Sequence, residues 1–211
     1  MLHIVPLEKG QFSPLKVKFT GVRDKTAKQN ISQHLMRIKQ FHGFPNDKIV
    51  VHVVPREKLM REGIRAKFDS GDKKFYIDEH GTSFQHEFGH YIDRFVLGKD
   101  GKPWSENSSH YKRKFGFKKR PRDKKKYTVY YDPIRKVKGF YTPRKTHDTD
   151  FTGEYARSQP KEHFASAYNK VIGEQDGSEH VIGKKEVKRF EKILCRKLQR
   201  ASLLIKEAAN N

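Results

Sequence analysis

A single cysteine, Cys195, stands in a chain of 211 residues, so no internal disulfide can staple the fold. No apolar run approaches the roughly 18–20 residues that a bilayer crossing needs, which predicts a chain with no membrane span. The opening Met-Leu-His-Ile-Val-Pro-Leu-Glu-Lys lacks the basic start and apolar centre of a signal peptide. These absences lead us to expect a cytoplasmic protein, or one carried in a virion assembled there. Internal repeats, Gly/Ser linkers and phosphate-cradling glycine loops are missing too. Acidic residues are scarce: 25 Asp and Glu against 46 Lys and Arg leave a formal charge of +21. With 34% hydrophobic residues and a mean hydropathy of −0.93, the length suits one domain, 1–211, with a modest core.

What is present is chemically pointed. Residues 86–90 read His-Glu-Phe-Gly-His. On a helix, positions i and i+4 share a face, so His86 and His90 can meet one Zn²⁺ as ligands. Glu87, beside the first His, then reaches the attacking water as a base rather than as a ligand. Helicity is expected from Thr82-Ser83-Phe84-Gln85, which has the form of a capping box. Phe84, Phe88, Tyr91, Ile92 and Phe95 recur at spacings of three and four, and Gly98 supplies a stop. Asp93, three residues after His90, is a candidate to orient that imidazole, or a solvated surface residue.

Catalytic zinc takes three protein ligands and keeps a fourth position open, so one more ligand is needed. Pro160 suits the first turn of a helix on which Phe164, Ala165, Tyr168 and Val171 share a face. Glu162, just inside that start, is the candidate third ligand, and Glu154, which precedes the helix, is its rival. Tyr155 lies seven residues before Glu162, near enough for its hydroxyl to enter the site, or else to pack as a flanking aromatic.

His86-Glu87-Phe88-Gly89-His90, then Tyr155, then Glu162-His163-Phe164-Ala165-Ser166-Ala167-Tyr168 resembles the catalytic domain of anthrax lethal factor and its relatives, among them the small secreted Pro-Pro endopeptidases. The resemblance spans about residues 65 to 172 and is good at the two motifs. It implies an α+β, zincin-like metallopeptidase fold of the gluzincin type: a small mixed sheet packed on an active-site helix. It implies zinc held by His86, His90 and Glu162, with Glu87 as general base and Tyr155 stabilising the oxyanion, and hence hydrolysis of a protein or peptide substrate. Two departures stand out. The family carries a second Glu four residues after its ligand, where this chain has Ser166, and the stretch between His90 and Tyr155 is longer here.

Upstream, Ile49 to Val54 suits a buried strand, and Ala66 to Phe68 with Phe75 to Ile77 flank Asp69-Ser70-Gly71-Asp72 as a hairpin. In zincins the substrate adds as a strand along the cleft edge. Phe75, Tyr76 and Ile77, just before the motif helix, are the expected edge. Leu15 to Val22 reads as a further strand. Asp24 reads as the cap of a helix with Ala27, Ile31, Leu35 and Ile38 on one face, ending at Gly43 and Pro45. His34, His42 and His52 read as structural or surface residues.

The segment 99–146 holds 17 Lys or Arg against four acidic residues, with aromatic rings interleaved, and reads as a basic insertion. Lys112, Arg113, Lys114, Lys118, Lys119, Arg120, Lys124, Lys125 and Lys126 form its densest runs. Cations near rings are what nucleic-acid binders use, though such a surface also draws an acidic protein or is simply solvated. Residues 184–209 read as a long amphipathic C-terminal helix, with Val187, Phe190, Leu194, Leu198, Ala201 and Ile205 on one face. The first functional class is therefore a zinc endopeptidase, of a size and charge that suit a phage or other mobile element. The competing class is a basic nucleic-acid-binding or virion-associated protein with a non-catalytic zinc site.

Overall fold

The computed structural model describes residues 17–42, 48–132, 137–143, 156, 158–173 and 184–209. It is an α+β structure in two compact units, Met1–Tyr91 and Ile92–Asn211. Among the described residues no helix is long and apolar enough to cross a membrane.

The first unit is built on a four-stranded sheet. Its strands are β1 (Val17–Gly21), β2 (Ile49–Val53), β3 (Ala66–Asp69) and β4 (Lys74–Ile77), in the order β1-β2-β4-β3. β1, β2 and β4 run parallel, and β3 pairs antiparallel with β4 through the expected hairpin. Helix α1 (Lys25–His42) starts as the sequence predicts, with the Asp24 carboxylate accepting from the Ala27 N–H at 2.8 Å. Ala27, Ile31, Leu35 and Ile38 are all buried on its inner face. Gly43 and Pro45 lie outside the described residues. A short helix, α2 (Arg56–Arg61), follows β2, and α3 (Phe84–Tyr91) carries the His-Glu-x-x-His motif.

Two expectations are corrected here. β2 is buried on one face only: Ile49, Val51 and Val53 point into the core while Val50 and His52 alternate outward. Phe75, Tyr76 and Ile77 do not form the sheet edge. They lie on β4, which has β2 on one side and β3 on the other, so its backbone groups are committed to the sheet. Among the described strands the edge next to the motif helix is β3.

The second unit opens with a π-helical turn, Ile92–Val96, in which the Leu97 N–H donates five residues back to Ile92 O at 3.0 Å. It continues through α4 (Trp104–Asn107), α5 (Ser109–Lys114) and a 3₁₀ turn at Lys124–Lys126. The hairpin β5 (Tyr127–Asp132) and β6 (Val137–Pro143) precedes helices α6 (Pro160–Gly173) and α7 (Lys184–Ala209). Its core gathers Tyr111 and Phe115 with Phe164 and Tyr168 of α6 and Phe190 and Leu194 of α7. The Phe164 and Phe190 rings meet edge to face at 5.1 Å, so α7 packs on α6. The basic segment is therefore built into this unit as helices and a hairpin. Three of the rings interleaved in that segment, Tyr111, Phe115 and Phe117, are buried.

Candidate metal centre

The motif helix is aimed by the turn that precedes it. Asp78, at the end of β4, accepts the His80 and Gly81 N–H groups on Oδ1 at 3.2 and 3.0 Å, an Asx turn. Gly81 has φ +71°, and a Cβ there would sit 3.2 Å from Ile31 and 3.3 Å from the Ala27 carbonyl. Asn30 of α1 donates to the His80 carbonyl at 2.7 Å. The turn is thus fixed between β4 and α1, and α3 leaves it in one direction.

One face of α3 is an apolar anchor. Phe84 and Phe88 are fully buried, and their rings, with that of Tyr91, surround Phe75 at 5.2, 5.9 and 6.2 Å. Phe68 of β3 stacks on the same Phe75 ring at 4.7 Å. With that face fixed, the four-residue spacing puts His86 and His90 together on another face, ring centroids 5.0 Å apart and both partly exposed. Glu87 is buried, and its Oε2 accepts the backbone N–H of Phe68 at 2.7 Å. The carboxylate of the motif is thereby held by the sheet edge.

In the second unit, α6 begins at Pro160 as the sequence predicts, and the His163 N–H donates to the Gln159 carbonyl at 3.1 Å. Glu162 sits in the first turn, 3% exposed, where the helix dipole favours a negative charge. His163 is buried beside it and shares a 2.7 Å hydrogen bond between Nδ1 and the Tyr111 hydroxyl. Burial lowers its pKa from 6.5 to about 3, so the ring is neutral. Phe115 and Phe117 rings lie at 4.6 and 5.6 Å from it, locking the start of α6 in place.

Asp93 is 1% exposed, so it is not a solvated surface residue. Its Oδ1 accepts the Ser105 N–H at 2.8 Å and its Oδ2 the Ser105 hydroxyl at 2.6 Å, tying the π turn to α4. Tyr155 and its neighbour Glu154 lie outside the described residues. His34 and His42 are buried in α1, and His52 Nδ1 lies 2.8 Å from the Thr20 hydroxyl, so these three are structural as expected. All nine basic candidates belong to the second unit. Lys112 is half-buried, while Arg113, Lys114, Lys118, Lys119, Arg120, Lys124, Lys125 and Lys126 are exposed.

Sequence reasoning missed three supporting groups: the Phe68 N–H, Ser105 and Tyr111. A backbone donor leaves no trace in residue type. Ser105 offered a faint signal, as a hydroxyl in the first turn after Pro103, and Tyr111 another, four residues before Phe115 on α5. Compared with protein-family models, with curated proteins and with solved structures, the chain matches none.

Proposed function

We propose that the chain is a zinc-dependent endopeptidase in which His86, His90 and Glu162 hold the metal and Glu87 is the general base. The observation that carries this reading lies on α3, where the His86 and His90 rings sit 5.0 Å apart on one face with the Glu87 carboxylate buried beside them, and Glu162 in the first turn of α6 is the third ligand the reading assigns. Two imidazoles and one carboxylate match the donor set of catalytic zinc, which leaves a position open, whereas structural sites close with four protein ligands, mostly thiolates. With one cysteine in the chain, a thiolate-rich structural site is excluded.

When bound, Zn²⁺ supplies a Lewis acid that polarises a peptide carbonyl and lowers the pKa of water. Glu87 takes a proton from the water that attacks the carbonyl carbon, then delivers it to the amide nitrogen as the C–N bond breaks. The Phe68 N–H fixes the rotation of that carboxylate for both transfers. A zincin-like fold and the role of Tyr155 as oxyanion donor rest on the resemblance to the lethal factor family. A peptide substrate that adds as a strand does so along β3 rather than along Phe75–Ile77.

The test is bound zinc in purified wild type, His86→Ala, Glu162→Ala and Glu87→Ala, followed by cleavage of a degenerate peptide library read by mass spectrometry. We expect one zinc per chain, lost in the two ligand variants and kept in Glu87→Ala, with cleavage in the wild type alone. A wild type that takes up no zinc on reconstitution overturns the reading.

A further inference from the structure

We propose that the second unit binds single-stranded nucleic acid, through a cationic cavity between α5 and β6 and the exposed ring and cation on the neighbouring hairpin. The cavity has a volume of about 350 Å³. Lys112 and Arg113 of α5 line one side, Lys118 and Lys119 another, and Phe117 and Phe140 form apolar walls. Among the described residues no carboxylate lines it. Four cations at one cavity form a site for phosphate oxygens.

The cations are placed by the backbone. Lys118 and Tyr141 exchange both of their hydrogen bonds, Lys118 N–H to Tyr141 O at 2.9 Å and Tyr141 N–H to Lys118 O at 2.8 Å. This bridge pins the loop after α5 to β6. The Lys118 ammonium then lies 5.0 Å from the Tyr127 ring centroid, and that of Lys119 lies 6.0 Å from Phe140. The same hairpin carries a bulge between Val129 and Tyr131. Just past it Tyr131 is 52% exposed, opposite the exposed Lys138 in the register. Bulges re-aim side chains, and here one presents a tyrosine ring to solvent with a cation across from it.

The rings decide between partners. An acidic peptide needs only the cations, whereas an unpaired base needs a flat aromatic surface beside a track for its backbone. Nothing in this arrangement uses the zinc ligands or Glu87, so it stands independently of the peptidase reading.

The test is fluorescence anisotropy of a labelled oligothymidylate of about 15 nucleotides, within the range one such surface covers, on the full chain, with poly-glutamate as competitor. Four phosphate contacts give a slope of about −3 for log K against log salt. The variant Lys112→Ala/Arg113→Ala/Lys118→Ala/Lys119→Ala, checked for folding by circular dichroism, is expected to remove most of that slope. The milder Lys118→Gln/Lys119→Gln, at two exposed positions, reduces it by about half. Tyr131→Ala weakens binding at least about fivefold, while Tyr131→Phe binds as the wild type. An unchanged slope in both cation variants overturns the site. Equal competition by poly-glutamate, with Tyr131→Ala binding like the wild type, overturns the nucleic-acid assignment in favour of an acidic protein.

Discussion

The backbone N–H of Phe68, on the edge strand, donates to the Glu87 carboxylate at 2.7 Å. Phe68 lies on β3, in register with Phe75 of β4. The residue proposed to move protons is thus oriented by the strand against which a substrate would lie. Glu87→Gln keeps an acceptor oxygen for this bond, so its stability should stay within about 1 kcal/mol of the wild type. Glu87→Ala strands a part-buried donor and should cost roughly 1–3 kcal/mol. Urea unfolding of both variants checks the difference, and both should be inactive.

Zinc should stabilise the folded chain through its ligands. At a free concentration about a hundred times Kd, binding contributes about 2.7 kcal/mol. For a chain of this length that raises Tm by roughly 5–10 °C. Thermal melts with zinc and with chelator should show the gain in the wild type and lose it in His90→Ala.

Asp93 and Ser105 form a buried pair joined by two hydrogen bonds. Ser105→Ala removes the hydroxyl donor to a carboxylate and should cost about 1.5–3 kcal/mol. Equal stability of Ser105→Ala and wild type in denaturant would show that the hydroxyl bond adds nothing to the backbone bond.

Gly139 on β6 is set by close approach. A Cβ there would meet the Ser158 carbonyl oxygen at 2.2 Å, where the Phe140 N–H also docks at 2.9 Å. Backbone cannot yield as a side chain can, so Gly139→Ala should cost at least about 2 kcal/mol. Gly71→Ala, whose added atom meets only the Asp69 carboxylate at 3.4 Å, serves as control and should change stability by under about 0.5 kcal/mol.

His42 gives stability a pH dependence of known sign. Burial lowers its pKa from 6.5 to about 3, so the unfolded chain takes up this proton well before the folded one. The neutral ring costs nothing above pH 6.5. Below it, stability falls by up to about 1.4 kcal/mol per pH unit until about pH 3. His42→Gln should show a shallower fall than the wild type between pH 6.5 and 4.5, measured by urea unfolding. Parallel curves would show that the ring protonates without unfolding.

What the sequence made legible was local. Asp24 as a cap, the three-four spacing on α1, the pair His86 and His90 on one helical face, and Pro160 opening the helix of Glu162 all follow from spacing within one element. Strand order did not follow, because which neighbour β4 takes on each side is decided by packing over long separations. That is why Phe75–Ile77 was misplaced at an edge that belongs to β3. The basic segment misled for a different reason. Its lysines masked the four-residue spacing of Tyr111 and Phe115, which marks one face of a helix turned into a core. At the site, the metal ligands proposed above carry a sequence signature, while the groups that steady their neighbours are a backbone N–H and a serine.

The π turn at Ile92–Val96 also has a consequence for how this region tolerates change. A π turn holds one more residue than a turn of α-helix, and each residue of a regular helix advances the chain by about 100°. Deleting a single residue there would let the turn relax to ordinary winding while sweeping Asp93 off Ser105 and Arg94 off the Gly101 carbonyl it now reaches. Point substitutions on its partly exposed side, at Arg94 or Val96, leave that count untouched. On that partly exposed side, length is constrained more tightly than composition.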